Sequence, residues 1–592
     1  MQGDFFGFWW GRRDLNPRPI GYEPTALTTE LQPHLQSDDT DFALRGSSGI
    51  IHAMSTEALV TRGGAFFSES PVRIFTAEDF TGDDALMIRT AEEFSRKEVL
   101  TIQERLDTQE DGLMRGLMTK AGELGFCGPD TSEKYGGLGL PKNLSARMLE
   151  MLSFNASFSV TIGVSSGISQ VGLNLFGNEA QKEKYLPKLA SGEHIGAYAL
   201  SEPNSGSDAL SLTTRADEKG DRYILNGTKM WISNAKWADQ FLVMAKVGGE
   251  KITAFIVERD FPGVSIAREE HKMGLKGSST ARVLLENAEV PAENILHEIG
   301  QGHKVALNAL NLGRFKLSAM SIGPAREAIR VAAEYAQDRR QFGVPISTFG
   351  LIEKKFADMA AWFYAAESMI YRAGADIDSA FLTLGGSPEG NRLAAEEFAV
   401  ECSACKVLAT ELEARIVDEA LQVYGGYGFT EEFPVARIYR DARISRIYEG
   451  TNEINRIFMA DRHVRRATEG KTSLAARSDS FISDLCGKAF AAFVETYGTE
   501  GFGKQVAQIH LGALSDLLAL NYAEQSCRLR AKQTGGINGQ LAAHFTNWAN
   551  GKAARAYQIA IGESVTLPEW SKVDVASIAA AVYERKTPIV TG

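Results

Sequence analysis

Two short runs concentrate side chains able to hold a polar, planar or phosphorylated ligand. The first is Ala197-Tyr198-Ala199-Leu200-Ser201-Glu202-Pro203-Asn204-Ser205-Gly206-Ser207-Asp208, dense in hydroxyls and backbone amides. A glycine-containing loop with Ser201 and Ser207 can donate several hydrogen bonds to a phosphate or a heteroaromatic ring; an ordinary capped turn accounts for the same residues equally well. The second, Lys229-Met230-Trp231-Ile232-Ser233-Asn234, sets an indole and a hydroxyl two residues apart. On a regular strand that spacing turns both to one side of the sheet. Cys402 and Cys405 form a CxxC, a spacing used by redox and zinc sites. Both fall on an apolar helical stripe with no second cysteine or histidine pair nearby, so core packing is the expectation. The nine histidines show no ligand spacing such as HExxH, and no metal is expected.

The elements that must carry these runs change character along the chain. From Thr76 to about Gly192 the pattern is helical, broken at Gly125-Phe126-Cys127-Gly128-Pro129 and at Tyr135 to Pro141. After Gly196 come short β-prone runs, Arg222 to Leu225, Phe241 to Val247, Ile252 to Glu258 and Ala281 to Leu285. Asn226-Gly227, Gly248-Gly249 and Pro262-Gly263 read as turns between them. Helical periodicity returns beyond Gly302, with Phe398, Cys402, Cys405, Leu408, Leu412 and Ile416 spaced to bury one face of a long helix. A further Ala- and Leu-rich helical segment runs from about Thr472 to Lys586, interrupted at Gly498 to Gly503 and at Gly535-Gly536. The expected fold class is α+β without the β/α alternation of a doubly wound sheet. Its expected divisions are 66–195 (helical), 196–300 (β), 301–466 (helix bundle) and 467–592 (additional helices).

Length and charge bound the function classes. The chain has 592 residues, 44% hydrophobic and 23% charged, which predicts about three or four globular domains and excludes a collagen, a disordered tail or a disulfide scaffold. A net charge of -12 leaves no basic footprint, so no nucleic-acid partner is expected. Five scattered cysteines fit a reducing compartment, and no run of about 18 apolar residues offers a membrane span. At the start, the aromatic run Phe5 to Trp10 precedes Arg12-Arg13, the reverse of a secretory signal, so export is not expected. Gly11 to Pro33 resembles the conceptual translation of a transfer-RNA gene, which places the native start near Met54; a genuine disordered leader is the alternative. On either reading residues 1–65 are expected to carry no function.

The blocks YALSEPNSGSD, LNGTKMWISNA, MGLKGSSTARVLLENAEVPAENIL, DRRQFG, LQVYGGYGF and IYEGTNEINRIF stand in the order found in acyl-CoA dehydrogenases. On these six blocks the chain resembles that family over about residues 75–465, and the segment after residue 470 makes it similar to the very-long-chain branch. The resemblance implies a helical domain, a small β-barrel-like domain, a four-helix bundle and an extra helical domain. It also implies a reaction that takes a proton from the α-carbon of an acyl thioester and a hydride from the β-carbon. Side chains do not accept a hydride reversibly, so a cofactor is required, and the family's is FAD.

Carried over position by position, the resemblance implies that Tyr198, Leu200, Ser201 and Ser207 line the flavin and pyrophosphate. Trp231 and Ile232 then join the cofactor contacts, Trp231 beside the isoalloxazine, and Ser233 bonds near N5. Arg339, Gln341 and Phe342, with Gln422, Gly425 and Gly426, hold the adenine-diphosphate end of a neighbouring subunit's FAD; Gly425-Gly426 also serves as a helix C-cap. Thr451 and Glu453 border the cofactor. Ser207, Asn311, Arg314 and Gly450 meet the substrate, with Arg314 equally suited to a structural ion pair. Glu449 matches the family's base; the segment where some relatives carry theirs instead has Gly313 and no glutamate. The enolate oxygen would be met by the Glu449 N–H and by a ribityl hydroxyl of FAD. The small side chains of Gly163 to Gly172 (GVSSGISQVG) leave room for a long acyl chain or serve close helix packing.

The expected function is therefore α,β-dehydrogenation of long-chain fatty acyl-CoA in β-oxidation, with electrons leaving through electron-transfer flavoprotein. The alternatives are a dehydrogenase or oxidase for another acyl chain, and a non-catalytic assembly or scaffold protein of the same fold. A homodimer is expected, because the added segment covers the surface on which shorter relatives pair dimers. The expected location is cytoplasmic, with weak peripheral contact at the inner membrane face raised by the very-long-chain relatives and a mildly amphipathic segment.

Overall fold

The β-prone runs after Gly196 assemble into a single eight-stranded sheet. The computed structural model describes residues 62–499 and 508–588, so the expected leader up to residue 61 and part of the Gly498 to Gly503 break lie outside the described residues. The strands are β1 (Gly196–Ala199), β2 (Arg215–Lys219), β3 (Arg222–Ser233), β4 (Gln240–Val247), β5 (Lys251–Glu258), β6 (Val264–Glu269), β7 (Thr280–Pro291) and β8 (Ile295–Leu296). Their order is β6-β7-β3-β2-β4-β5-β8, with β1 pairing β4. Both β1 and β2 run parallel to β4, and the other pairings are antiparallel. Strand β4 is covered on both faces: Phe241, Val243 and Ala245 enter the core of the sheet domain, while Leu242 and Met244 enter the helical core. That double burial is why its sequence is a continuous apolar run rather than an alternating one.

One expected turn is not a turn. Asn226-Gly227 lies inside β3, where the register with β7 shifts between Leu225 and Gly227. A side chain at 227 would collide with Thr214, so the glycine there serves a bulge with close backbone approach rather than a reversal. Gly248-Gly249 does reverse the chain between β4 and β5, with φ of 60° and 82°.

Helices flank the sheet on both sides in sequence. Before it come Asp83–Phe94, Leu113–Glu123, Lys142–Met151, Ala156–Gly163 continuing through a π turn at Val164–Ser169 into Gln170–Phe176, and Glu179–Ala190. The two glycine-rich breaks in this region fold onto each other: Leu138, Gly139 and Leu140 donate backbone bonds to Gly128, Thr131 and Pro129. After the sheet come Gly302–Asp338, Gly350–Leu384, Ala399–Tyr424 and Asn452–Thr468. The stripe expected on the Ala399 helix is buried throughout, Cys402 and Cys405 included, and Phe398 stands at its N-cap.

The added helices Phe481–Tyr497, Gln508–Thr534, Ile537–Ile561 and Val575–Arg585 pack onto this bundle. Trp548 meets Trp362 edge-on at 6.1 Å between ring centroids, and Tyr583 meets Phe356 at 4.9 Å. Buried charge joins the layers as well. Glu367 forms ion pairs with Arg147 (3.0 Å), Arg326 (2.9 Å) and Arg530 (2.8 Å), one guanidinium each from the first helices, the bundle and the added helices.

The expected leader boundary at residue 65 falls inside packed structure. Ala65, Phe66 and Phe67 are buried; the Phe66 ring lies tilted 4.7 Å from that of Tyr522, and Phe67 lies 4.7 Å from His463. The Gly63 N–H donates to Glu397 (2.9 Å) and the Gly64 N–H to Glu401 (2.6 Å). The leader reading fails at residues 62–65 because a short Gly-Gly-Ala-Phe-Phe segment carries too little periodicity to register as an element. Among the described residues no helix is long and apolar enough to cross a membrane.

Candidate active site

Glu449 sits in a loop between the 3-10 turn Arg443–Arg446 and the helix Asn452–Thr468. Its φ is +57° and that of Gly450 is +80°. A glutamate in the left-handed region costs on the order of 1 kcal/mol and persists only where its surroundings hold it. Here they do. Asn455 Nδ2 donates to the Gly450 carbonyl (2.8 Å) and the Thr451 carbonyl (3.1 Å), and Arg314 Nε reaches the Glu449 carbonyl at 3.4 Å. Lys406 Nζ donates to the same Gly450 carbonyl (2.8 Å) and to Asn452 Oδ1 (2.7 Å). Thr451 caps the following helix by accepting the Ile454 N–H at 3.3 Å. The Glu449 N–H has no hydrogen-bond partner among the described residues.

The carboxyl group is buried, and its Oε2 has no hydrogen-bond partner. Burial raises its affinity for protons to about 7, against the opposing charges of Arg314 and Lys406. Space for it comes from Gly313: a Cβ there would stand 3.0 Å from Glu449 Oε2 and 3.1 Å from Ile168. Positions 313 and 449 therefore converge on one point in space. Tyr198, on β1, brings a second buried and unpartnered oxygen to the same place, and burial, with the Glu449 charge adding to it, pushes that phenol upward.

Asn311 and Arg314 do not open toward solvent. Arg314 is buried, donates to Asn311 Oδ1 at 3.2 Å, and lies 5.0 Å over the Phe458 ring. Its geometry supports the Glu449 loop, and its guanidinium lies beside the carbonyl of the residue expected to meet the substrate. The glycines at the two ends of the small-residue segment are packed. A Cβ at Gly163 would fall 2.8 Å from Met320 Sδ, and one at Gly172 would fall 2.6 Å from Leu242. Close packing accounts for both.

The loop after β1 is held by a pair that its hydroxyls did not announce. Glu202 and Lys229 are both buried and meet at 2.7 Å; Lys229 also donates to the Leu200 carbonyl at 3.1 Å. Glu202 accepts the Thr213 and Thr214 N–H groups at 2.6 and 3.0 Å, and Lys229 with these donors holds its carboxyl down at about 2. The Ser201 carbonyl accepts the Met230 N–H at 2.8 Å, which ties the two ligand-like runs together. Ser207 lies exposed beyond them.

Trp231 departs from the regular strand expected of it. Its φ is +61°, and the β3–β7 register shifts between Lys229 and Ile232. The alternation argument linking Trp231 to Ser233 fails at this bulge, which instead turns the indole outward, 57% exposed. Ile232 points the other way, into the core of the sheet domain, so only its main chain is free for a ligand. Ser233 is half-buried opposite Thr280, and Glu453 stands exposed in the first helical turn.

The remaining expected residues form a separate surface. Arg339 lies 5.4 Å over the Tyr427 ring, and Tyr335 stacks on Tyr424 at 4.1 Å, joining the Arg339-Arg340-Gln341-Phe342 corner to Gln422, Gly425 and Gly426. Gln422, Gly425 and Gly426 are exposed, as is Gln341; Phe342 is 94% exposed and Phe429 87%. Gly425, at φ +58°, closes the Ala399 helix by donating its N–H to Gln422. Sequence reading missed Lys406, Asn455, Glu202 and Lys229. The one signal for Lys406 was a lysine beside Cys402 and Cys405 on the apolar stripe of that helix.

The domain models of the acyl-CoA dehydrogenases match in order: N-terminal over residues 81–193, middle over 197–288 and C-terminal over 300–464. A probable acyl-CoA dehydrogenase of Bacillus subtilis is 41% identical over 511 residues, 81% of this chain and 86% of that protein. The chain belongs to the acyl-CoA dehydrogenase family. It is thereby an oxidoreductase of CH–CH bonds. The human mitochondrial very long-chain specific acyl-CoA dehydrogenase is 42% identical over 367 residues, 60% of this chain; the match spans about half, 53%, of that relative's own length. The crystal structure of an acyl-CoA dehydrogenase from Bacillus anthracis, described as complexed with FAD, superposes with a TM-score of 0.84 at 38% identity, covering 90% of this chain and all of that one.

The residues present fit a flavin in this acyl-CoA dehydrogenase. Two buried oxygens, Tyr198 Oη and Glu449 Oε2, have no partner, as expected beside a space that a polar ligand fills. An exposed indole on a bulge borders the Ser201 loop, offering a flat apolar wall for a ring.

Proposed function

We propose that the protein oxidises long-chain fatty acyl-CoA to the trans-2-enoyl thioester in fatty acid β-oxidation, working as a homodimer that hands electrons to an electron-transfer flavoprotein. The observation that carries the catalytic part is Glu449: a buried, unpartnered carboxyl on a loop clamped by Asn455, Lys406 and Arg314. Bound FAD supplies the two-electron acceptor that no side chain provides. Glu449 Oε2 takes the proton from the α-carbon, and the raised proton affinity of the buried carboxyl matches that task near neutral pH. The unpartnered Glu449 N–H donates to the thioester oxygen as charge develops there. Ile168, beside the carboxyl, helps exclude water.

Tyr198, Leu200, Ser201, Ser207, Trp231, Ser233, Thr451 and the main chain of Ile232 would hold the flavin and pyrophosphate. The Arg339 to Phe342 and Gln422 to Gly426 surface would hold the adenine end of the partner's cofactor; its exposed Phe342 supports that reading. Dimers are favoured by the added helices, which cover the outer side of the Gly350 helix. Chain length rests on the very-long-chain likeness alone, because Gly163 and Gly172 are accounted for by packing.

The test is anaerobic titration of the purified yellow protein with acyl-CoAs of graded length. Bleaching of the flavin band by palmitoyl-CoA but not by butyryl-CoA is expected. Bleaching by butyryl-CoA alone would overturn the long-chain assignment, and a protein that stays colourless after FAD reconstitution would favour the scaffold alternative.

A further inference from the structure

Lys406 is a buried lysine in the Ala399–Tyr424 helix, among Cys402, Ser403, Ala404, Cys405 and Val407, with the buried Glu401 just before them. Its ammonium donates to the Gly450 carbonyl at 2.8 Å and to Asn452 Oδ1 at 2.7 Å. Those acceptors flank the base: Gly450 follows Glu449, and Asn452 opens the next helix. A loop with two consecutive left-handed residues needs external partners to keep its shape, and Asn455 alone could hold the Gly450 carbonyl with a neutral donor at 2.8 Å. Burying an ammonium for that purpose is costly unless its charge is used as well.

We propose that Lys406 is the positioning residue of the base: its ammonium fixes the Glu449-Gly450 turn and serves as counter-charge to the Glu449 carboxylate. This rests on Glu449 being the base. The groups facing Lys406 from each neighbouring element are consistent with that service. They are Glu449 on the loop, Arg314 on the Gly302 helix, Glu453 on the Asn452 helix and Glu411 on its own helix. Glu411 is engaged by Arg456 at 2.6 Å, which in turn binds Asp516 at 2.7 Å, so Glu411 is a tied charge rather than a free partner. Burial pulls Lys406 down to about 7, so the ammonium is charged on the acid side of the Glu449 titration and gives up its proton over the same range. Its positive charge opposes the burial that raises Glu449, and removing it lets the carboxyl rise further.

The experiment compares wild type, Lys406→Gln and Lys406→Met as FAD-loaded enzymes. Anaerobic flavin reduction by palmitoyl-CoA is followed by stopped flow over about pH 5.5 to 9. Gln keeps a donor for Gly450 and loses the charge; Met loses both. The acid-limb midpoint is expected to move up by about one pH unit in both variants. In Met alone the high-pH plateau falls as well, by about tenfold, as the turn loosens. A midpoint unchanged in both variants would overturn the proposal, whatever happens to the plateau, because a purely structural lysine lowers the rate without moving the titration. If Met does not retain FAD, the Gln midpoint decides alone. Glu449→Gln run alongside separates the two readings. Reduction at the wild-type rate in that variant removes the base assignment, whereas a dead Glu449→Gln with an unshifted Lys406→Gln removes only the role of Lys406.

Discussion

At the scale of single residues, the site depends on what is missing at 313 as much as on what is present at 449. Gly313 has no side chain to displace Oε2, and a Cβ there would stand only 3.0 Å from it. Gly313→Val should therefore keep the flavin and push the carboxyl aside, lowering the rate of substrate-driven bleaching by about a hundredfold, since displacements near 1 Å carry penalties of that order. Bleaching at the wild-type rate would show that the carboxyl works from another position. Glu449 and Gly313 were both legible in the sequence through the motifs around them. Lys406 and Lys229 were not: their partners are carbonyls and a carboxylate 27 to 46 positions away, and no local pattern encodes such pairings.

At the scale of elements, buried charge joins layers that hydrophobic periodicity describes only one at a time. Glu367 receives three guanidiniums, from Arg147, Arg326 and Arg530. Glu367→Ala leaves three buried cations short of a carboxylate and should cost about 3–5 kcal/mol, read from the denaturant midpoint. A loss below about 1 kcal/mol, the worth of an exposed pair, would contradict the burial described here. Asp376, in the same Gly350 helix, is pushed by burial from an ordinary value of 3.8 to about 8. The folded chain then keeps a proton that the unfolded chain has lost, so the stability from this group is full below pH 4 and falls as pH climbs toward 8. Asp376→Asn stays neutral throughout. It should stabilise the fold at about pH 8 by an amount on the order of a few kcal/mol, seen as a higher Tm there, and leave Tm unchanged near pH 4. Scanning calorimetry at the two pH values checks the sign. The helices and most strands were legible because they bury long periodic faces. The Asn226-Gly227 bulge was not, because the dipeptide that signals a hairpin also serves a strand whose backbone passes close to Thr214.

At the scale of the whole molecule, the segment from Gly63 to Phe67 and the four added helices close over the bundle as one layer. They leave the Phe342 and Phe429 surface open. Sedimentation should give a dimer; a tetramer would show that the added helices do not block the second pairing. The order of helical, β and helical regions was readable from changes of period, whereas the docking of residues 62–67 was not, since its anchors Glu397, Glu401 and His463 lie more than three hundred positions downstream. All of this architecture delivers one carboxyl group to a dry, unpartnered position. The most direct test is the anaerobic bleaching rate of Glu449→Gln with palmitoyl-CoA, with the visible spectrum confirming bound FAD. The rate should fall by about a thousandfold or more while the colour is kept; a yellow Glu449→Gln protein that bleaches within tenfold, ~1.4 kcal/mol, of the wild-type rate would contradict the account.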